Sequence, residues 1–239
     1  VRLGEDREAA AVAAFREAVP AAFAERIGLP AHRKAADYTV ARTRLAVAET
    51  LAETLVLVAL TLGGGLAALV AWTEVLPLGG IGRDLTLIVA VAVISGMVGL
   101  PFSYAQTFGI EVRFGFNRTT RALWVADLVK GILIGAALGL PLAALVLWLM
   151  RAAGPLWWIW AWAAWIAFQF LLLALYPTVI APLFNKFSPM PAGAARDMIE
   201  ALLARCGFAS RGLYVMDGSR RSSHGNAFFT GFGRAKRIV

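Results

Sequence analysis

Leu123 to Met150 reads LWVADLVKGILIGAALGLPLAALVLWLM, and apart from Asp127 and Lys130 near its start the stretch carries no charge. A helix needs roughly 20 apolar residues, at about 1.5 Å each, to cross about 30 Å of hydrocarbon. This run exceeds that length, and residues 48–72, 85–107 and 156–176 are runs of the same kind. Each is continuously apolar, whereas a barrel strand alternates over about 10 residues. The expectation is an α-helical polytopic membrane protein with four transmembrane helices, embedded in a lipid bilayer.

Composition points the same way. The 239 residues are 59% hydrophobic and 16% charged, against about 45–50% and about 25% in soluble domains; the mean hydropathy is +0.70. The net charge of +8 raises the question of nucleic acid, but the basic residues alternate with topology. Residues 1–47 hold eight of the 23 and residues 177–239 hold nine, while only Arg83 lies in 73–84 and only Arg151 in 151–155. That is the positive-inside pattern with both ends cytoplasmic, and it leaves no nucleic-acid partner to explain.

Around the spans, residues 1–47 read as a cytoplasmic amphipathic connector interrupted by Pro20 and Pro30, residues 48–176 as the four-span domain, and residues 177–239 as a small soluble domain. Gly131, Gly135 and Gly139 share one helix face, where small residues let another backbone approach. Pro101 and Pro141 are expected to kink their spans or mark their ends. Trp157, Trp158, Trp160, Trp162 and Trp165 crowd the outer half of the last span as an interfacial belt, with an aromatic ligand wall as the other reading. Beyond Tyr176, Pro177, Pro182, Pro189 and Pro191 punctuate an irregular exit. Ala194–Cys206 reads as an amphipathic helix closed by Gly207, and Leu213–Met216, Asn226–Phe229 and Arg237–Val239 read as strands. Val1 in place of Met and a final apolar strand without a successor read as the ends of a fragment.

The chemistry-bearing residues are few. Glu49 and Glu53 share a helix face, as do Asp127 and Lys130; near the cytoplasmic ends of their spans they either snorkel to water or line a polar cavity, and no motif decides between the two. His32 and His224 are far apart and neither stands in an H-E-x-x-H pair, so no zinc site follows from spacing. Ser222, His224 and Asp217 lie too close in one turn for triad geometry. Cys206, the sole cysteine, excludes an internal disulfide and reads as a buried, inert thiol in a soluble helix.

Four segments taken together resemble a known family: HRKAADYTVARTRL (32–45), IEVRFGFNRTT (110–120), YPTVIAPLFNKFSPM (176–190) and VMDGSRRSSHGNAFFTGFGRAKRIV (215–239). They look like the type 1 CAAX prenyl proteases, which are integral membrane zinc metalloendopeptidases. The resemblance implies that residues 177–239 begin a small α+β metalloprotease domain. It also implies a zinc cofactor whose ligands, including the H-E-x-x-H helix, lie outside this chain, leaving it inactive alone. The implied substrates are C-terminal peptides of prenylated or other membrane-associated proteins. Asn226-Ala227-Phe228 is similar to the edge strand that holds substrate in thermolysin-like proteases, so the implied substrate-binding residues are Asn226, Ala227 and Phe228; the other reading is that the strand only packs its sheet. Composition suits a bacterial cytoplasmic membrane, with the endoplasmic reticulum membrane as the eukaryotic counterpart. A non-enzymatic transport or assembly subunit of the same architecture is the alternative.

Overall fold

The computed structural model describes residues 12, 14–20, 23–208, 210, 212–225, 227–230 and 237–239. The chain divides into two compact units, Val1–Asn117 and Arg118–Val239.

In the first unit, helix α1 runs Leu29–Thr61. Pro30 opens it, contrary to the expected interruption, because a proline in the first turn has no intrahelical N–H to lose. The helix passes through the connector and into the first apolar run without a break. It then stops at Leu62, short of the expected residue 72, and α2 follows at Gly65–Glu74, bent 58° from it. The cause is local. Gly64 has φ +78°, a left-handed conformation that side chains disfavour, and a Cβ on Gly63 would lie 2.6 Å from the Ala59 carbonyl oxygen. Thr50, Thr54 and Thr61 donate their hydroxyls to the carbonyls four residues back, at 2.7, 2.6 and 2.7 Å, which satisfies polar atoms that hydrocarbon cannot. Helix α3, Gly80–Ala105, packs on α1 and α2.

In the second unit, α4 (Arg121–Ala152) and α5 (Trp157–Leu175) pack together. Thr120 caps α4 by accepting the Leu123 N–H at 3.2 Å. Pro101 and Pro141 sit inside α3 and α4 and end neither. Among the described residues, nothing comes within 4 Å of where a Cβ on Gly131, Gly135 or Gly139 would stand. The expected close backbone approach on that face of α4 is therefore not made.

Gly80–Arg113, Arg121–Ala152 and Gly154–Phe184 are long and apolar enough to span a membrane, and the bent pair α1–α2 makes a fourth candidate. Their apolar side chains point outward, as in Leu55, Val93, Ile132 and Phe170. An outward apolar surface on satisfied helical backbone is what a bilayer solvates. The chain is a multi-pass integral membrane protein. Trp158, Trp160, Trp162 and Trp165 are exposed at the start of α5, as a membrane belt requires.

After α5 the helix continues through a π-helical turn, Tyr176–Ile180, to Phe184. Strand β1 (Phe187–Pro189) follows inside the stretch expected to be irregular; its proline falls at the end of an outer strand, where no ladder bond is lost. Helix α6 spans Ala194–Arg205, close to its expected bounds, and Gly207 closes it at φ +62°; Cys206, just past its last residue, is exposed and not buried as expected. Strand β2 is Tyr214–Met216, β3 is Phe229–Thr230 and β4 is Arg237–Ile238. Strands β1 and β2 pair antiparallel, as do β3 and β4. A parallel bridge from Leu213 to Ile238 joins the two pairs, with the Ile238 N–H donating to the Gly212 carbonyl at 3.2 Å. The spatial order is thus β1, β2, β4, β3. Leu213, at the joint, is buried.

Candidate functional site

Strand β3 and the residues leading into it form one outer side of this arrangement. Phe228 and Val239 exchange both backbone bonds, at 3.0 and 2.9 Å. Successive residues of a strand turn their peptide groups to opposite sides, so those of Ala227 and Phe229 point away from β4. Among the described residues no strand pairs with that outer side. Ala227 and Phe228, both expected to bind substrate, therefore differ: the alternation turns the Ala227 peptide groups to the side where no described strand pairs, while Phe228 spends its own on β4. Asn226, the third expected residue, lies outside the described residues.

Three cavities flank the strand, and the smallest, about 250 Å³, is lined by Ala227, Phe228 and Phe229 with Leu203, Phe208 and Ile238. Ala227 lines one of about 650 Å³ together with Arg118, Ser222, His224, Gly225 and Val215. Phe228 lines another of about 430 Å³ with Tyr176, Tyr214, Lys186 and Arg237, and the Arg237 guanidinium lies 5.5 Å from the centre of the Tyr214 ring. Phe229 is exposed and meets Phe208 edge-on at 5.6 Å.

The loop that enters this strand is fixed by Arg221. Its Nε and Nη2 donate to the two carboxylate oxygens of Asp127 at 2.8 and 3.0 Å. Nη1 donates to Asn185 Oδ1 at 2.7 Å and Nη2 also donates to the Phe184 carbonyl at 2.7 Å. The Arg221 carbonyl accepts from the Arg118 N–H at 3.0 Å and from the Thr119 hydroxyl at 3.1 Å. Lys130 donates to the Leu183 carbonyl at 2.9 Å. Asp127 and Lys130 therefore bind segments of their own unit. Nothing local in the sequence distinguishes Arg221 from its neighbour Arg220; its partner Asp127 is 94 residues away.

Asp217 holds the turn after β2. Its carboxylate accepts the Lys186 N–H at 2.7 Å, its own N–H donates to the Lys186 carbonyl at 3.1 Å, and Arg220 donates to it at 3.4 Å. Burial acts to raise the Asp217 pKa, yet the Lys186 N–H bond and the Arg220 and Arg221 charges together hold it below the usual carboxylate range. The Ser222 hydroxyl accepts the His224 N–H at 3.1 Å.

In the first unit two of the distinctive segments meet. Tyr38 donates to Glu111 Oε1 at 2.6 Å, Gln106 donates to the same oxygen at 2.9 Å, and Phe114 and Phe116 stand edge-on to the Tyr38 ring at 5.4 and 5.0 Å. Gln106–Ile110 is a π-helical turn, closed by the Glu111 N–H to the Gln106 carbonyl. That wider turn precedes Glu111 directly. Glu49 lies against α3, with Oε1 3.8 Å from where a Cβ on Gly99 would stand, and Glu53 is exposed. Among the described residues no three His, Cys, Asp or Glu side chains converge to hold a metal ion. The described residues do not by themselves fit a zinc centre.

Residues 8–186 match a family model described as CAAX prenyl protease N-terminal, five membrane helices. The chain is 43% identical over 157 residues to the CAAX prenyl protease 1 homolog of Oryza sativa, covering 66% of this chain and 37% of that protein. It is 36% identical over 157 residues to the Homo sapiens homolog, covering 66% and 33%, and 33% identical over 216 residues to the Caenorhabditis elegans homolog, covering 90% and 48%. The crystal structure of S. mikatae Ste24p superimposes with a TM-score of 0.84 at 27% identity, over 99% of this chain and 57% of that one. The chain thus spans between a third and a half of the length of these curated relatives.

Proposed function

The chain belongs to the CAAX prenyl protease family, and from that premise we propose that it forms the front part of a membrane zinc metalloendopeptidase. Its substrates are C-terminal peptides of prenylated or other membrane-associated proteins. In this reading residues 48–176 build the membrane domain, residues 1–47 and 177–239 face the cytoplasm, and residues 177–239 begin the peptidase domain. Zinc is the cofactor that the family resemblance implies for the intact enzyme; its ligands belong to parts of the protein outside this chain. The contribution of residues 1–239 is to bind and orient the peptide.

The observation that carries this reading is Ala227, which lines a cavity of about 650 Å³ and leads into a strand whose outer side pairs with no described strand. An extended peptide laid along an unpaired strand edge gains main-chain hydrogen bonds without regard to side-chain sequence, and side-chain pockets then add specificity. The edge suits a protease, because an extended backbone presents its carbonyls to a reagent on the far side. Proteolysis of a farnesylated C-terminal peptide by the full-length enzyme is the test. Chelation is expected to abolish cleavage and zinc to restore it, while purified residues 1–239 hydrolyse nothing and retain no stoichiometric zinc. Cleavage that survives complete removal of metal, or a zinc-loaded full-length enzyme that cuts no such peptide, refutes the proposal.

A further inference from the structure

We propose that Arg221 and Asp127 are a positioning pair that sets the depth of the strand edge relative to the membrane, and so favours substrates anchored in the bilayer over soluble ones. The inference rests on the edge at Ala227 being a peptide-binding edge.

The geometry is that of a clamp. Asp127 lies two turns into α4, which continues to Ala152 across the apolar stretch. Asn185 and Phe184 end the helical segment that leaves the membrane after α5. One guanidinium binds all three residues, through Nε, Nη1 and both directions of Nη2. The planar fork matches a carboxylate bidentately, which a lysine ammonium cannot reproduce. The side chains of Arg221 and Asp127 are only 23% and 21% exposed, so solvent screens the pair less than a surface one.

From Arg221 the chain runs six residues to Ala227, and the next residue is held by its two bonds to Val239. Ala227 therefore sits between an anchor on two membrane helices and an anchor on the sheet. A peptide free in water can follow a strand whose depth has slipped. A peptide tethered by a lipid cannot, because its cleavage site stands at a fixed distance from the bilayer. A defect in the clamp thus acts on the choice between the two.

The test compares Arg221→Lys, Asp127→Asn and Asp127→Glu in the full-length enzyme. One peptide is used in two forms, farnesylated in vesicles and unmodified in solution. For Arg221→Lys and Asp127→Asn the ratio of kcat/KM, anchored over soluble, is expected to fall about tenfold, the effect of one lost charge-assisted hydrogen bond. Asp127→Glu keeps a carboxylate and is expected to recover most of the ratio. Amide exchange supplies a second readout: residues 222–229 should exchange faster in Arg221→Lys while Leu128–Met150 keep their protection. Equal loss on both peptide forms, or faster exchange spread over α4 as well, shows a structural role alone and overturns the proposal. An unchanged ratio with unchanged exchange also overturns it. If the wild-type enzyme cleaves neither form, the protease reading fails, and the exchange pattern still decides whether the clamp holds the edge.

Discussion

Proline substitution separates the two directions of the strand edge. Ala227 turns its N–H away from β4, whereas the Phe228 N–H donates to the Val239 carbonyl at 3.0 Å. Proline removes a backbone donor at either site, and sheets tolerate it where that donor faces outward from an edge. Ala227→Pro should therefore leave the β3–β4 ladder in place and delete only a donor available to a peptide. Phe228→Pro should break the ladder itself. A hydrogen bond to substrate is worth about 1–3 kcal/mol when its loss leaves a partner unsatisfied, which corresponds to roughly 5- to 150-fold in kcat/KM at about 1.4 kcal/mol per tenfold. The assay is steady-state cleavage of a peptide by the full-length enzyme, with zinc content and thermal unfolding measured on the same preparations. Ala227→Pro is expected to lose catalytic efficiency in that range with its unfolding midpoint close to wild type. Phe228→Pro is expected to lower the midpoint or the yield of folded protein. Undiminished efficiency in Ala227→Pro, or a midpoint that falls as far as in Phe228→Pro, refutes the assignment of the outward face.

The break in the first membrane helix makes a second expectation: Gly63→Ala pushes a Cβ to 2.6 Å from a backbone oxygen and should cost about 1–3 kcal/mol in unfolding from detergent, as overpacking does. Gly96→Ala, which meets open space in α3, is the control and should be neutral or stabilising. Asp217 should make the soluble segment acid-sensitive. Its folded pKa is depressed, so the stabilisation is present above the unfolded carboxylate value of 3.8 and is lost as pH falls through the folded value; Asp217→Asn should flatten that part of the pH–stability profile. For topology, single cysteines at Gly80 and Gly154 in a Cys206→Ala background should react with an impermeant thiol reagent outside intact cells, and cysteines at Ala35 and Ser210 should not. Labelling at the latter two positions would reverse the orientation.

What the amino-acid sequence determined by itself was what depends on neighbours along the chain. Three spans follow from runs of apolar residues, because the free energy of placing a helix in hydrocarbon sums residue by residue and needs no knowledge of partners. Helix Ala194–Arg205 and its Gly207 stop were legible for the same local reason, as were the strands at Tyr214–Met216 and Arg237–Ile238. The break in the first span had its signal in Gly63-Gly64-Gly65, a run that weakens any helix, but hydropathy alone passed over it. Tertiary structure decided what depends on distant partners. Asp127 and Lys130 look like a helix-surface pair by their spacing, and only the fold brings Arg221 and Leu183 to them. Ala227 and Phe228 are adjacent and both apolar, yet the register of Phe228 against Val239 turns one peptide group outward and the other into the sheet. Gly131, Gly135 and Gly139 permit close packing, but permission is a property of the helix face, and contact needs a second helix that the described residues do not supply. A hydrogen bond is satisfied by whichever group the fold delivers within about 3 Å, and sequence separation carries no information about that delivery.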